Sequence, residues 1–352
     1  MSELAKIAVV GAGLVGQRHI AAMAQSARIE LVAIVEPKGA ACVQAPVYDS
    51  LEKMFAAQKV DGVILSTPTD LHLEGAIMCL NRGVPVLVEK PLAATVAQAV
   101  EIANASIRTN VPVLVGHHRR HNPIIQKAAA MIRDGAVGQV RVAQSTCWFY
   151  KPDDYFETAP WRKASGAGPI SVNLVHDVDL LRAFCGEVVS VQAQMAPSLR
   201  GFENEDLAAA VLRFESGAIC TVSVSDSVVA PWSWEMTSGE YPIYPVTDQS
   251  CYMIGGSEGS LSIPDLRLWR NDGDKSWWNA ISATTAPRDA SDPLLNQINH
   301  FADVIQGLAA PLVSAEQGVR TMQVIEAIQI AARTQTTVSI DAASGVSPGA
   351  AA

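Results

Sequence analysis

The chain has 352 residues, enough for one large domain or two ordinary ones, and its 49% hydrophobic content excludes wholesale disorder. The net charge of −9 argues against nucleic acid and anionic membrane surfaces as partners, because both are negatively charged themselves. The six cysteines include no CxxC pair, which argues against a zinc or redox site and suits reduced thiols in a cytoplasmic protein. We find no secretion signal and no apolar run long enough to span a bilayer.

The first third of the chain alternates short apolar runs with helix-like stretches. The runs are rich in Val, Ile and Leu, as is typical of strands buried on both faces. They cover residues 6–10, 30–35, 61–65, 84–88 and 111–116. The helix-like stretches lie near residues 15–26, 50–57, 70–82 and 95–108. This alternation predicts an α/β domain with a doubly wound parallel sheet over residues 1–121.

The pattern changes after about residue 120. A predicted helix near 122–134 is followed by runs that alternate apolar and polar residues, which is typical of an antiparallel sheet with one covered face. These runs cover residues 139–147, 188–195, 207–214, 217–226, 250–254 and 266–270, and two helices are predicted near 293–307 and 315–334. We therefore expect a second α/β domain over residues 122–341 and a disordered tail over 342–352.

A glycine-rich turn directly follows the first strand. Gly11, Gly13 and Gly16 fit the pattern G-x-G-x-x-G, in which the glycines allow a tight turn, close approach to a pyrophosphate and close helix–strand packing. The free N–H groups of the helix that begins here favour the bound anion. We therefore predict a Rossmann-type domain that binds a dinucleotide. Its predicted contacts at the turn are Gly11, Ala12, Gly13, Leu14, Val15 and Gly16.

Glu36 ends the second strand. A carboxylate at this position accepts hydrogen bonds from the ribose hydroxyls of the cofactor and repels a 2′-phosphate, so NAD is the predicted cofactor. The nearby Lys38 leaves the use of NADP open. An exposed acid without such a role is the alternative.

Ser66 and Thr67 follow the third long apolar strand. Because ligands bind over the carboxyl ends of strands in such sheets, both hydroxyls are candidates for cofactor contact. A simple turn before a helix explains the segment equally well.

Glu89-Lys90-Pro91 follows the strand at 84–88. A lysine here is expected near the nicotinamide, where it can polarise a hydroxyl that is being oxidised. Glu89 could orient Lys90, and Pro91 fixes the turn. The alternative is an exposed lysine ahead of a proline-started segment.

These motifs together resemble the Gfo/Idh/MocA oxidoreductases, and the resemblance covers the chain to about residue 340. The matching segments are the glycine-rich turn, Ser66-Thr67-Pro68 with His72, Glu89-Lys90-Pro91, residues 115–120, Trp161-Arg162, residues 166–169 and residues 176–181. The resemblance implies two domains, the second with a large and mostly antiparallel sheet. It also implies NAD(P)-dependent oxidation of a secondary alcohol, often on a sugar or cyclitol. Pro68, His72, Glu89 and Lys90 are implied near the cofactor, and Lys90 and His176 are implied as the catalytic pair.

The sequence departs from the family at one position. Many members have Asp four residues before the histidine, where this chain has Val172. The neighbouring Asn173 can hold a hydroxyl but cannot take a proton at neutral pH. Lys90 and His176 would then share the acid–base work.

A nearby aspartate is the alternative. Asn173, His176 and Asp179 are each three residues apart, so on a helix they share a face, whereas Asp177 would point elsewhere.

Residues 117–121 form the run His-His-Arg-Arg-His in an otherwise acidic protein. We predict no metal here, because no carboxylate or cysteine pattern joins the histidines. Arg119 is a candidate for binding a cofactor phosphate or a substrate carboxylate, and structural ion pairs are the alternative. Trp161 is a candidate wall of the substrate pocket, although packing between domains fits it equally well. The predicted substrate-binding residues are Lys90, Arg119, Trp161, Asn173 and His176.

The leading hypothesis is an NAD-dependent dehydrogenase that oxidises a secondary alcohol of a cyclic polyhydroxylated substrate. A carboxylated cyclic dihydrodiol is the alternative substrate, with Arg119 and Arg120 meeting its carboxylate. A non-catalytic NAD-binding sensor and an NAD-dependent glycoside-cleaving enzyme also remain open. We expect a homo-dimer or homo-tetramer that associates through the second sheet.

Overall fold

The computed structural model describes residues 4–39, 44–341 and 346, and these form two compact units. The first unit contains the described residues up to His121 together with residues 291–322 and Val346. The second contains residues 122–290 and 323–341. Apart from Val346, the tail predicted over residues 342–352 lies outside the described residues.

The first unit is built on a parallel sheet of six strands in the order β3-β2-β1-β4-β5-β6. The strands are β1 Ala5–Val10, β2 Ile29–Val35, β3 Val47–Tyr48, β4 Gly62–Leu65, β5 Val86–Val88 and β6 Val113–Val115. The helices between them are α1 Leu14–Met23, α2 Leu51–Ala57, α3 His72–Leu80 and α4 Val96–Thr109. The predicted doubly wound parallel sheet is therefore confirmed.

Both faces of this sheet are covered, which explains the unbroken apolar runs. Along β1, Ile7 and Val9 belong to one hydrophobic cluster, while Ala8 and Val10 belong to another. Successive residues of a strand point to opposite faces, so apolar residues are needed at every position where helices cover both sides.

The second unit is built on a nine-stranded sheet in the order β14-β13-β12-β11-β7-β10-β9-β8-β15. Its strands are β7 Val140–Trp148, β8 Val188–Pro197, β9 Glu205–Phe214, β10 Ile219–Ser225, β11 Tyr252–Gly256, β12 Ser260–Ile263, β13 Arg267–Asn271, β14 Ile281–Thr285 and β15 Val338–Ser339. Its helices include α5 Pro123–Arg133, α6 Asp153–Glu157, α7 Val175–Cys185 and α8 Trp234–Thr237. The pairing is antiparallel except between β7 and β10, so the predicted mostly antiparallel sheet is confirmed.

The last two long helices are α9 Pro293–Ile305 and α10 Ala315–Thr334. The sequence predicts one domain over residues 122–341, yet residues 291–322 belong to the first unit. The reason lies in the apolar face of α9, which joins the cluster that contains Ile20 of α1. Gly62 leaves space for this packing, because a Cβ there would lie 2.5 Å from Cδ1 of Ile305.

No helix within the described part of the chain is both long and apolar enough to cross a membrane.

Candidate cofactor and active-site residues

The candidate cofactor residues follow neighbouring strands of the first sheet. Gly11, Glu36, Ser66, Glu89 and Gly116 come after β1, β2, β4, β5 and β6, respectively. The carboxyl ends of parallel strands share one edge, so these segments all lie along it. The strand order reverses between β1 and β4, and ligands in open α/β sheets bind at such a point.

The glycine-rich turn has the geometry that a pyrophosphate needs. Gly11 has a φ of +86°, which favours glycine, and a Cβ on Gly16 would lie 1.9 Å from the carbonyl oxygen of Gly11. At Gly13 a Cβ would meet no described atom within 4 Å, so the space above the turn is open. No side chain of the described residues caps α1, which leaves N–H groups at its start for an anion. The turn therefore fits a dinucleotide.

Ser66 secures this turn from the neighbouring strand. Its hydroxyl lies 3.0 Å from the carbonyl oxygen of Val10 and 2.9 Å from that of Gly11, to which it donates. The hydroxyl oxygen of Thr67 is buried and has no hydrogen-bond partner among the described residues. A buried hydroxyl without a partner is unfavourable, so Thr67 is the better candidate of the two for a ligand contact.

Glu36 is held against the glycine-rich turn. Its Oε2 accepts a hydrogen bond of 2.9 Å from the backbone N–H of Ala12, and its Oε1 accepts one of 3.3 Å from that of Lys38. These bonds fix the carboxylate beside the turn, a position suited to the ribose of a dinucleotide. The geometry is compatible with the NAD preference inferred from the sequence.

His72 is the first residue of α3 and is buried. The resemblance implies His72 near the cofactor, but its buried ring lies between two backbone oxygens, 3.0 Å from that of Pro91 and 3.1 Å from that of Thr67. Burial lowers the pKa of His72 despite these contacts. The ring therefore connects the loop after β4 to the loop after β5, which positions Thr67 and Lys90.

Lys90 is half-buried at the end of β5, and the carboxylate of Glu89 folds back beside it. Oε2 of Glu89 accepts a hydrogen bond of 3.1 Å from the backbone N–H of Lys90, and Oε1 lies 2.8 Å from Nε2 of His19. Burial raises the pKa of Glu89, but the hydrogen bond from His19 and the charges of His19, His118 and Lys90 outweigh it and lower the pKa to about 2. Sequence reasoning missed His19, although a lone histidine three residues after Gly16 was a visible signal.

Arg119 lies in a 3₁₀ helix, His118–His121, that follows β6. Its side chain is buried, whereas Arg120 is only half-buried. The neighbouring His121 is buried as well, and burial together with nearby positive charges lowers its pKa to about 3. No group of His, Cys, Asp or Glu in the described ranges is arranged to hold a metal ion.

The second unit carries the other candidate residues at the start of α7. A π-helical turn, Ile170–Leu174, leads directly into α7. Such turns are frequent at functional sites. Asn173 and His176 are both buried here, and Oδ1 of Asn173 has no hydrogen-bond partner among the described residues. Asp177 accepts a hydrogen bond from the hydroxyl of Tyr252 in the core, so it points elsewhere, as the spacing indicates.

Glu205 supports the loop that precedes this turn, and the sequence reasoning did not find it. Its Oε1 accepts a hydrogen bond of 3.1 Å from the backbone N–H of Ile170. A Cβ on Gly168 would lie 2.2 Å from the carboxyl carbon of Glu205, so a side chain there would displace this carboxylate. Burial raises the pKa of Glu205.

Trp161 lies in the 3₁₀ helix Pro160–Lys163 of the second unit and is 60% exposed. The guanidinium carbon of Arg162 lies 3.9 Å from the ring centroid of Tyr155 and 5.6 Å from that of Trp161. Stacking of this kind steadies the segment, while the exposed indole remains available for contact with a ligand.

Comparison with known proteins agrees with this geometry. A family model for the Gfo/Idh/MocA oxidoreductases, described as an NAD-binding Rossmann fold, matches residues 5–117, and a model for the Gfo/Idh/MocA C-terminal domain matches residues 125–262. The chain is 32% identical over 298 residues to an inositol 2-dehydrogenase of Mycolicibacterium gilvum (strain PYR-GCK), which covers 80% of this chain and 77% of that protein. It is 31% identical over 240 residues to a 4-carboxy-2-hydroxymuconate-6-semialdehyde dehydrogenase of Sphingobium sp. (strain NBRC 103272 / SYK-6), which covers 62% and 71%.

One solved structure shows the same fold over nearly the whole chain. It is an oxidoreductase from Agrobacterium radiobacter in complex with NAD+, L-tartaric acid and magnesium, with a TM-score of 0.81 at 19% identity. The match covers 96% of this chain and 98% of that one.

Proposed function

The chain belongs to the Gfo/Idh/MocA family of NAD-binding oxidoreductases, and from that premise we propose that it oxidises a secondary alcohol of a cyclic polyhydroxylated compound, a sugar or a cyclitol. The observation that carries the proposal is the single sheet edge on which the glycine-rich turn, Glu36 and Lys90 follow neighbouring strands. The inositol 2-dehydrogenase among the relatives supports this class of substrate.

In the proposed reaction the substrate carbon loses a hydride and its hydroxyl loses a proton, which leaves a ketone. NAD, when bound at the glycine-rich turn, supplies the acceptor for the hydride. The ammonium of Lys90 polarises the hydroxyl and stabilises the developing alkoxide, and His176 shares the acid–base work by taking the proton, because Val172 replaces the aspartate that many members carry. Asn173 holds the hydroxyl through its side-chain amide.

Lys90→Ala tests the assignment of the lysine. We expect turnover of myo-inositol and a panel of sugars to fall by roughly a hundredfold or more, because general acid–base catalysis contributes about that much. NAD affinity, measured by tryptophan fluorescence, should change little. Lys59→Ala, which removes an exposed lysine of the same unit, is the matched control and should behave like the wild type. Turnover of Lys90→Ala at the wild-type rate would refute the assignment.

A carboxylated cyclic substrate is the second candidate. It is favoured by the relative named for a carboxylated semialdehyde and by the buried cation of Arg119, which suits a carboxylate. A panel of sugars and carboxylated cyclic dihydrodiols, followed by NADH absorbance, separates the two classes. Turnover that is confined to carboxylated diols and is lost in Arg119→Leu would favour this second candidate.

We further propose that the protein is cytoplasmic and associates into a homo-dimer or homo-tetramer through the uncovered face of the second sheet. The free cysteines among the described residues, Cys79, Cys147, Cys185, Cys220 and Cys251, are all buried, which suits a reducing compartment. Exposed apolar side chains on the central strands support the association.

A further inference from the structure

We propose that His19 is a positioning residue for Lys90 and that it acts through the carboxylate of Glu89. The inference deepens the proposed function, since it rests on the role given there to Lys90. His19 belongs to α1, the helix that begins at the glycine-rich turn. The first residues of α1 would then contribute to the cofactor site, and its sixth residue, His19, would position Lys90.

The contact between His19 and Glu89 is buried and directional. The side chain of His19 is fully buried and that of Glu89 is only 12% exposed, with Nε2 and Oε1 at 2.8 Å. A hydrogen bond to a carboxylate is short and strong where water is excluded. The other oxygen of Glu89 accepts from the backbone N–H of Lys90. The same carboxylate therefore joins α1 to the backbone on which Lys90 stands.

The neighbouring strand is shaped around this carboxylate. Gly116 follows β6, and a Cβ at this position would lie 2.9 Å from Cδ of Glu89 and 3.0 Å from Oε2. The same Cβ would lie 2.9 Å from the backbone Cα of Glu89, so any side chain on Gly116 would displace Glu89. Gly116 thus leaves room for Glu89 on one side, and the hydrogen bond with His19 holds the carboxylate on the other side.

The charges around Glu89 explain what the contact does. His19 on α1, His118 after β6, His72 on α3 and Lys90 itself interact electrostatically with the carboxylate. A carboxylate kept ionised beside Lys90 favours the ammonium form of that lysine. When the donor at position 19 is lost, Glu89 loses the largest of the interactions that offset its burial, so we expect it to take a proton or to move away.

Competitive labelling with acetic anhydride measures this effect without a substrate, because only the unprotonated amine of Lys90 reacts. Mass spectrometry of the peptide that contains Lys90, over a series of pH values, gives the midpoint of labelling. In full-length His19→Asn we expect that midpoint to fall by about one pH unit. In His19→Gln, whose amide nitrogen reaches the place of Nε2, it should stay near the wild-type value. His300→Gln, a change at a histidine of α9, is the control.

A double-mutant cycle separates this role from a merely structural one. Glu89→Gln should lower the midpoint by a similar amount, and His19→Asn should add nothing further in the Glu89→Gln background. An unchanged midpoint in His19→Asn, or full additivity in the double variant, would overturn the proposal. Thermal unfolding identifies any variant that fails to fold, and His19→Leu, which also lacks the donor, then replaces His19→Asn in the cycle. Retained turnover in Lys90→Ala contradicts the proposed function instead, and the labelling result stands apart from it.

Discussion

At the scale of single residues, we propose that Glu36 selects the cofactor that the turn accepts. Its carboxylate is fixed beside the turn by the N–H of Ala12, a position suited to accept hydrogen bonds from a ribose and to repel a 2′-phosphate. Glu36→Gln should weaken NAD binding by roughly tenfold, because a hydrogen bond to a charged group contributes about 1.5–3 kcal/mol. It should also improve the binding of NADP.

Fluorescence titration with both dinucleotides measures this change. Glu30→Gln, at an exposed position on the same strand, is the matched control and should leave both affinities unchanged. If Glu36→Gln kept the wild-type ratio of NAD to NADP affinity, the carboxylate would have no part in selecting the cofactor.

The residue scale also shows where sequence reasoning stops. The tight turn at Gly11 and the close packing at Gly16 were predictable because the spacing of these glycines is local and depends on the backbone of one turn. The partner of Glu89 was not predictable, because His19 lies 70 residues away and meets it only once β1 and β5 are placed in the sheet. The contact of Glu205 was not predicted from the sequence for the same reason, since it joins Glu205 to Ile170, 35 residues away.

At the scale of elements, Glu205 accepts a hydrogen bond from the first residue of the π-helical turn that leads into α7. Glu205→Leu keeps the size but leaves the N–H of Ile170 without its acceptor, which costs about 1–3 kcal/mol for a buried donor. We expect a lower melting temperature and a lower kcat, because Asn173 and His176 stand on this turn and helix. NAD affinity should not change.

Glu205→Gln is the matched variant for this prediction. Its amide oxygen still accepts from Ile170, and burial already raises the pKa of Glu205, so a neutral group there is tolerated. Calorimetry and steady-state kinetics should place Glu205→Gln near the wild type. Equal losses in Glu205→Gln and Glu205→Leu would show that the hydrogen bond does not matter.

Most elements with a clear apolar period were predicted to within a few residues, although the four-residue strand β12, with alternating burial, was not predicted. Other exceptions have physical causes. All five residues of β14 are exposed, so no apolar alternation marks it. β3 and β15 have only two residues each, too few for a period. The amphipathic pattern of α9 predicts a helix with an apolar face, but not that this face packs in the first unit. Such pairings depend on the tertiary structure.

At the scale of the whole molecule, buried histidines make stability depend on pH. Burial, with the charges of His300, His118 and Arg120, lowers the pKa of His121 to about 3, and burial lowers the pKa of His72 and His300 as well. Below about pH 6.5 these histidines bind protons in the unfolded chain, but they bind protons less readily in the folded protein. The contribution of these histidines to the free energy of unfolding is therefore complete above about pH 6.5. It is lost as the pH falls toward the pKa values that they have in the folded protein.

We therefore expect the free energy of unfolding in urea to fall between about pH 7 and pH 5, by up to about 1.4 kcal/mol per pH unit for each such ring. His121→Phe removes one of these rings and should reduce that slope by the amount that corresponds to about one bound proton, up to about 1.4 kcal/mol per pH unit. Lys127→Gln, at an exposed residue, should keep the wild-type slope. A slope that is unchanged in His121→Phe would contradict the assignment.

The proposed association of subunits involves the uncovered face of the second sheet. Along β9 the buried residues Ala208, Ala210, Leu212 and Phe214 alternate with exposed ones, and the exposed face continues across the paired strands. Ile219 of β10 lies directly opposite Val142 of β7, and they are 49% and 55% exposed. A depression of about 550 Å³ on this sheet is lined in part by Gln144, Gln192 and Val211.

A single charge should disrupt an association of two such faces. In Ile219→Lys we expect the mass measured by light scattering to fall toward that of one chain, because symmetry places the unpaired charge in the interface twice. Leu308→Lys introduces the same charge at a 70% exposed leucine of the first unit and should leave the mass unchanged. NAD affinity should survive in Ile219→Lys, since the glycine-rich turn belongs to the first unit and Ile219 to the second. If Ile219→Lys kept the wild-type mass, association through this face would be ruled out.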